Sequence, residues 1–345
     1  MASPFLPPGK LPAALLEELL RQQETPADPR LLVGPRPGED AAVIDFGERL
    51  LIAKSDPITF ATDAIGYYAV NVNANDIASM GGTPRWFLAT LLLPEKGTTP
   101  DLVRDIFAQI REACRALQVT LVGGHTEITL GLDRPLVCGH MLGETTRQAL
   151  VTSAGAQVGD VVLLTKGYPL EGSAIIARER ARQLAAQGFA ASDIARWQGL
   201  LFDPGISVVR DAAVLQRAVE VHALHDPTEG GVATGLRELA SASGVGLRLQ
   251  AGQLPLLPEG RALCNAFGLD PLGVIASGAL LATVPAAQAA KAIQACNAAG
   301  IACHDIGRVV APDEGLLLRS QDTAWPLPSF ARDEIVKLFE AEGNE

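Results

Sequence analysis

The sequence has no apolar run approaching the ~20 residues that a helix needs to cross a bilayer, which excludes a helical membrane span. Cysteine is sparse. Cys114, Cys138, Cys264, Cys296 and Cys303 are scattered, odd in number and without a Cys-x-x-Cys pair, so a reduced, disulfide-free chain is expected. Cys296, Cys303 and His304 lie close in sequence, but their spacing fits no zinc pattern and core packing is the expectation. Charge is also scarce, at 19% of residues, and it leans acidic, with a formal net charge of −11. Aromatics make up 5%, and neither basic runs nor aromatic–basic interleaving occur, which excludes a general nucleic-acid or anionic-membrane binder. Anionic small ligands stay open, because local amides or a metal override the global field. The opening residues lack the basic and apolar regions of a signal peptide, so a soluble, cytoplasmic protein is expected. A Walker lysine loop, protein-kinase signatures and a G-x-G-x-x-G turn are missing too. Any nucleotide site therefore belongs to another class.

What is present suffices for two cores. Hydrophobic residues make up 48% of 345, which excludes a largely disordered chain, and about 150 residues per domain gives two domains. The turn-rich run Ser153 to Asp160 places the boundary near residue 150, dividing 1–150 from 151–345. In the first part the pattern predicts a helix from Leu11 to Arg21 opened by Pro12, and a hairpin of Ala41 to Ile44 with Leu50 to Lys54. It then predicts a strand from Trp86 to Leu93, a helix through Leu102, Ile106, Ile110, Cys114 and Leu117, and strands at Thr120 to Val122 and Leu136 to Leu142. The second part alternates helices, at about 171–183, 206–218, 230–243 and 286–299, with short strands such as Val161 to Leu164. This is α/β patterning without an internal repeat.

One stretch stands apart. Asn71 to Gly82 carries three Asn and an Asp within a predicted helix of about Gly66 to Met80, stopped by Gly81-Gly82. Asn and Asp compete with the backbone for hydrogen bonds and are poor interior helix residues. Asn71 and Asn75 fall one turn apart on a single face. A lone Asn would be read as bonding to a neighbouring loop; the cluster reads as a functional site.

Four further segments join an apolar run to a turn rich in Gly and Asp: Gly38-Glu39-Asp40, Ser55-Asp56-Pro57, Gly123 to Glu127, and His225 to Gly231. Singly, each is a common solvated turn. In the last, Asp226 and Thr228 flank a helix start, where free N–H groups and the dipole favour a phosphate, although an ordinary Thr228 N-cap needs no ligand. Two carboxylates about 4 Å apart repel by about 4 kcal/mol at an effective dielectric near 20. A site gathering Asp40, Asp56, Asp76 and Asp226 would therefore need a cation, and all-oxygen ligands favour Mg²⁺ shared with phosphates.

The motifs occur in order from Gly9-Lys10-Leu11 to about Gly307. Gly38 to Ala42 looks like a G-D-D-A-A motif. Ala69 to Gly81 looks like the A-V-N-L-S-D-x-A-A-M-G of thiamine-monophosphate kinase. His225 to Ala233 is similar to the D-P-T-R-G-G-x-A of the hydrogenase maturation factor HypE. The chain thus resembles the aminoimidazole ribonucleotide (AIR) synthetase superfamily, and best its HypE-like, AIR synthase-related branch. The resemblance implies a two-domain α/β (α+β) architecture, a homodimer whose N-terminal sheets pair into a barrel, and ATP bound with Mg²⁺ in a cleft. It implies Asp40, Asp56, Asp76 and Asp226 as metal or phosphate-site residues, with Asn75, Gly81, Gly123, Gly124, Thr126 and Thr228 as nucleotide contacts. Asp76, His125 and Asp226 become the catalytic candidates. The implied chemistry is phosphoryl transfer from ATP to a substrate oxygen.

Departures qualify the carry-over. His125 stands where G-G-D-T supplies a carboxylate, with Glu127 as a candidate substitute, and a neutral His125 is read as binding phosphate or substrate. Glu229 stands where HypE has Arg. HypE ends in a P-R-I-C tail whose cysteine is carbamoylated. Here the last residues are Phe339 to Glu345 and the last cysteine is Cys303. The expectation is a docked helix over 328–345 carrying Ile335, Leu338 and Phe339, and no thiocyanate chemistry. The leading reading is a Mg-ATP-dependent enzyme acting on a small molecule or carbonyl oxygen. The alternatives are a thiamine-monophosphate kinase and a non-catalytic nucleotide-binding maturation factor with a maturation-protein partner.

Overall fold

In the computed structural model the first helix, α1, spans Ala13–Arg21. The described residues are 11, 13–21, 27–36, 38–59 and 63–340; Gly9, Lys10, Pro12, Pro37 and residues 341–345 lie outside them. Residues 28–34 and 40–150 form one compact unit. Its elements are β1 (Leu31–Val33), β2 (Ala42–Asp45), β3 (Leu50–Ile58), α2 (Ile65–Ser79), β4 (Thr83–Pro94), α3 (Pro100–Ala116), β5 (Thr120–Thr129) and β6 (Leu136–Thr145). The strands form one sheet in the order β1-β2-β3-β6-β4-β5. β4 and β5 pair in parallel across the α3 crossover, and the other neighbours are antiparallel. Thr99 caps α3 by accepting the Leu102 N–H at 3.2 Å, with Pro100 just inside the start.

Two runs read as turns are strands. Ser55-Asp56-Pro57 continues β3, where Asp56 pairs with Gly139 of β6. β2 covers β3 only as far as Ala53, so Pro57 lies where that side has an open edge and a missing N–H is tolerated. Gly123 to Glu127 likewise continue β5 along β4. A Cβ at Gly124 would lie 2.0 Å from the Ala89 carbonyl oxygen, so that pairing needs glycine.

The Asn-rich helix exists, but it has no exposed polar face. Asn71, Asn73, Asn75 and Asp76 are all at most 4% exposed. Asn73 shows how this is tolerated. Its Oδ1 accepts the Asp56 N–H at 2.9 Å, while its Nδ2 donates to Asp56 O at 3.2 Å and Ala69 O at 2.9 Å. Asn71 Nδ2 donates back to Tyr67 O at 2.9 Å. β6 makes room: a Cβ at Gly139 would lie 2.3 Å from Asn73 Nδ2, and one at Gly143 2.2 Å from Ile77 Cγ2. The helix ends as the double glycine predicts, with the Gly82 N–H on Ile77 O at 3.0 Å and Gly81 at φ +71.

The described residues from 151 to 340, with those of 35–39 and those before residue 28, form the second unit. Its further elements are β7 (Val161–Thr165), α4 (Leu170–Glu179), α5 (Ala181–Ala186), α6 (Ala191–Gly199), α7 (Val209–Ala218), β8 (Ala223–His225), α8 (Gly231–Ser243), β9 (Gly246–Gln250), α9 (Pro258–Phe267), β10 (Leu281–Val284), α10 (Ala289–Ala298), β11 (Cys303–Val310), β12 (Leu316–Ser320), β13 (Thr323–Pro326) and α11 (Val336–Glu340). The sheet runs β13-β12-β9-β11-β7-β10-β8. Val162, Leu164, Leu249 and Ile306 pack on Val232, Leu236 and Leu239 of α8.

Three helices differ from expectation. The helix expected over 171–183 breaks at Arg180 (φ −116, ψ 20), whose guanidinium instead donates to Leu338 O at 2.6 Å. The helix expected from Ile206 starts at Val209, after a separate helical turn over Leu201–Gly205 that contains Pro204. The tail helix expected from Pro328 begins only at Val336 among the described residues, and the approach to it bonds the rest of the unit instead, with Glu334 accepting the Asp270 N–H and donating its own N–H to Gly273 O. Its packing is nevertheless as expected: Ile335 and Leu338 are buried, and Arg180 lies over the Phe339 ring at 5.3 Å. Mixed α/β with two sheets is the architecture.

Replacing Asn73 by Ala should leave the paired Asp56 N–H without its acceptor. The expected loss is about 2–3 kcal/mol of stability, read as a lower urea midpoint; an unchanged midpoint would refute the structural role assigned to Asn73.

Candidate functional site

The acidic residues of the first unit gather at the β3–α2 contact. Asp40 and Asp76 are both buried, and carboxylate oxygens of the two lie within 4.8 Å of each other. Lys54 Nζ is 3.3 Å from Asp76 Oδ1 and 3.3 Å from Asp56 Oδ2. β3 explains the pairing: residues two apart point the same way from a strand, so Lys54 and Asp56 share a face. Asp56 and Asp76 thus flank a single ammonium, and Asp40 lies beside Asp76. Lys54 escaped the sequence reading, although its i, i+2 relation to Asp56 signals it. Asn75 is fully buried within α2. Gly81 serves as the helix stop, and its carbonyl accepts the Thr145 hydroxyl at 2.8 Å.

The β5 candidates stand elsewhere. β5 is three strands from β3 in the sheet, about 14 Å at the usual spacing. Within one chain, then, His125 and Glu127 do not join the Asp56–Asp76 cluster. They pair with each other, His125 Nε2 to Glu127 Oε2 at 3.1 Å, on an exposed edge strand. Gly123, Gly124, His125 and Thr126 line a cavity of about 400 Å³ whose other walls include Phe107, Ile110, Leu121 and Val122. Apolar residues along this edge are uncovered: Ile128 is 62% and Leu130 78% exposed.

In the second unit, β8 delivers His225 and Asp226 to the turn before α8. His225 is held at both ring nitrogens, by Ser153 Oγ at 3.2 Å from Nδ1 and Glu238 Oε2 at 3.0 Å from Nε2. Asp226 is buried and Thr228 half-buried. Thr228 does not cap the helix. α8 begins three residues later, and its N-cap is Gly230 in the left-handed region, because the two glycines extend the turn.

Two buried ionisable groups of this unit also escaped the sequence reading. Lys166, at φ 57, is pinned by Ser207 O at 2.5 Å and Asp211 Oδ2 at 3.3 Å. Burial pulls its pKa down while Asp211 opposes the shift. Glu171, in the first turn of α4, is buried, and its Oε2 has no hydrogen-bond partner among the described residues. Burial pushes its carboxyl up from 4.5 to about 7; Ser277 opposes this, and the Asp333 and Glu229 charges add to it. A lone acid among small and apolar residues, Leu170 to Ala174, was the available signal. Cys296 and Cys303 are buried against each other, with a hydrogen bond between the thiols. Among the described residues no His or carboxylate joins them in a metal-binding set.

Comparison with known proteins adds the context. Residues 38–145 match the N-terminal domain of AIR synthase related proteins, and residues 157–318 match the C-terminal domain of the same proteins. The chain is 31% identical over 284 residues to the carbamoyl dehydratase HypE of Rhodobacter capsulatus, covering 80% of each. Its fold is similar to HypE in a HypE–HypF complex, with a TM-score of 0.72 at 24% identity, over 92% of this chain and 100% of that one. It is similar also to a ThiL protein complexed with AMPPCP and TMP, with a TM-score of 0.67 at 22% identity, over 90% and 94%. No helix among the described residues is long and apolar enough to cross a membrane.

Glu171 makes stability depend on pH. Its folded pKa is raised, so the folded state holds a proton that the unfolded chain has released. Its contribution is therefore fully present below about 4.5 and is lost as pH rises to about 7. The loss over that window should be on the order of 3 kcal/mol, and Glu171→Gln should flatten it. Identical pH dependence in the variant would show that Glu171 is ionised throughout.

Proposed function

Because the chain belongs to the AIR synthase related family, we propose that it is a Mg-ATP-dependent enzyme that activates a small-molecule or carbonyl oxygen by phosphoryl transfer. The observation that carries this reading is the buried Asp40–Asp76 pair. Two carboxylates at that separation repel by about 3 kcal/mol at an effective dielectric near 20, and Lys54 offsets only part of it. Their donor set is all oxygen, which suits Mg²⁺. In this reading Asp40, Asp56, Asp76 and Asp226 hold the cation, which when bound screens the charge of the triphosphate.

The chain's own groups then have separate tasks. Thr228, in the turn before α8, binds phosphate oxygens, while the Gly230 and Gly231 amides are taken by Asp333 Oδ2 and Thr228 O and shape the turn. Asn75, Gly81, Gly123, Gly124 and Thr126 are nucleotide contacts, and Gly81 and Gly124 also have the backbone roles described above. Asp76 and Asp226 align the phosphates, and His125 addresses the acceptor or a phosphate. The ThiL protein that this fold resembles binds AMPPCP, a methylene analogue of ATP. Its TMP also supports thiamine-monophosphate kinase as a second reading, which His125 in place of a G-G-D-T aspartate and the run Pro227-Thr228-Glu229 oppose. The likeness to HypE in its complex with HypF supports a maturation-protein partner. Tight Mg-ATP binding without turnover would favour the non-catalytic reading.

The reading includes a homodimer through the first unit. β5 is an edge strand exposed on both faces, with apolar Val122 and Ile128 uncovered. Such an edge is a template for pairing. Since β5 lies far from β3 within one chain, His125 and Glu127 would act beside a surface that a second copy completes.

Titration calorimetry should show ATP binding that EDTA abolishes, and Asp76→Asn should weaken it at least about tenfold with little change in melting temperature. Equal affinity with and without EDTA would overturn the metal-bridged reading. In sedimentation at micromolar concentration the protein should run as a dimer, and Ile128→Lys should shift it toward monomer; a wild-type monomer would remove the role given to β5.

A further inference from the structure

The turn that carries Asp226 and Thr228 ends in two consecutive left-handed glycines, Gly230 at φ +80 and Gly231 at φ +66. Glycine has more conformations to lose than any other residue, so such a pair holds one shape only if its surroundings fix it. One side is fixed by the backbone: a Cβ at Gly231 would lie 2.4 Å from Leu272 O and 2.7 Å from Val274 O. The other side is fixed from 103 residues away. Gly230, the N-cap of α8, has no side-chain cap of its own. Its N–H donates to Asp333 Oδ2 at 2.7 Å. The second oxygen of Asp333 accepts the Ile335 N–H at 2.8 Å, and the Ile275 amide bonds the same carboxylate.

Asp333 is 2% exposed and sits in a tail segment tied down independently of it. Glu334 accepts the Asp270 N–H at 3.1 Å, and its own N–H donates to Gly273 O at 3.0 Å. Arg237 Nε donates to Pro328 O at 3.0 Å, and Arg180 to Leu338 O at 2.6 Å. Ile335, Val336 and Leu338 are buried. The tail is thus anchored by several groups, whereas the Gly230 amide is bonded by Asp333. Burying a carboxylate is costly, and Asp333 is buried close to Glu171 and Glu229, whose charges interact with its own. A group needed only to anchor the tail has no reason to be an acid aimed at this amide.

We infer that Asp333 is a positioning residue: by holding the Gly230 amide it fixes the Asp226–Gly231 turn in the shape that presents Asp226 and Thr228 to the nucleotide. The inference rests on the Mg-ATP reading for its consequence, but the fixing of the turn is measurable without nucleotide. Two variants separate this role from tail anchoring. Asp333→Ala removes the acceptor from the turn. Arg180→Ala removes a tail tether and leaves the turn untouched.

Hydrogen exchange without nucleotide, followed by mass spectrometry on peptides spanning 226–234, should rise about tenfold or more in Asp333→Ala and stay at the wild-type rate in Arg180→Ala. Calorimetry with Mg-ATP should show about tenfold weaker binding for Asp333→Ala and unchanged binding for Arg180→Ala, even where both lower the melting temperature. Asp333→Asn, which keeps the shape and one acceptor, should fall between Ala and wild type, and it serves if the Ala variant does not fold. Wild-type exchange at 226–234 in both Asp333 variants would overturn the inference, as would equal effects of the Asp333 and Arg180 variants. If wild-type protein bound no Mg-ATP, the functional reading would fall, while the exchange comparison would still decide what Asp333 does.

Discussion

The first unit depends on the burial of a polar helix. α2 has its Asn and Asp side chains almost wholly withdrawn from water, and each withdrawn polar atom needs a partner. Asn73 meets the demand by bonding both the N–H and the carbonyl of Asp56, as a neighbouring strand would. That contact fixes the depth of α2 on β3 and β6, and Gly139 and Gly143 permit it by leaving no side chain in the way. The same contact sets Asp76 against Lys54 and Asp40. The acidic cluster is therefore a by-product of how the helix is seated: a shift of α2 by one turn would lose the Asn73 bonds and the cluster together.

Elements whose signal is local were legible in the sequence. α3 follows from Thr99-Pro100 and its apolar spacing, and α2 stops where the glycine pair says it should. What was illegible depends on partners distant in sequence. Ser55-Asp56-Pro57 and Gly123 to Glu127 have turn composition, yet both are strands because β6 and β4 supply ladder partners. Arg180, where α4 breaks, has its guanidinium on Leu338 O, 158 residues on, and no window of sequence around residue 180 contains that contact.

The same distinction holds for the candidate site. Motif matching selected Asp40, Asp56 and Asp76, and these gather in one unit. It also selected His125, which stands on the far edge of the same sheet. Residues on strands of one sheet can be near in a motif list and far apart in space, since strand order is not chain order. Lys54, Glu171 and Asp333 went unselected for the opposite reason: the spacing of Lys54 from Asp56 and the apolar setting of Glu171 are slight local signals, Asp333 has none, and all three gain meaning only from what surrounds them in space.

Lys54 also bears on how the first unit tolerates its own acids. Its ammonium lies 3.3 Å from a carboxylate oxygen of Asp56 and 3.3 Å from one of Asp76. One positive charge is thus shared by two negative ones, and the second of the pair is held where water reaches it poorly. The lysine works as a built-in counter-charge that lets a strand acid and a helix acid face each other without an ion between them.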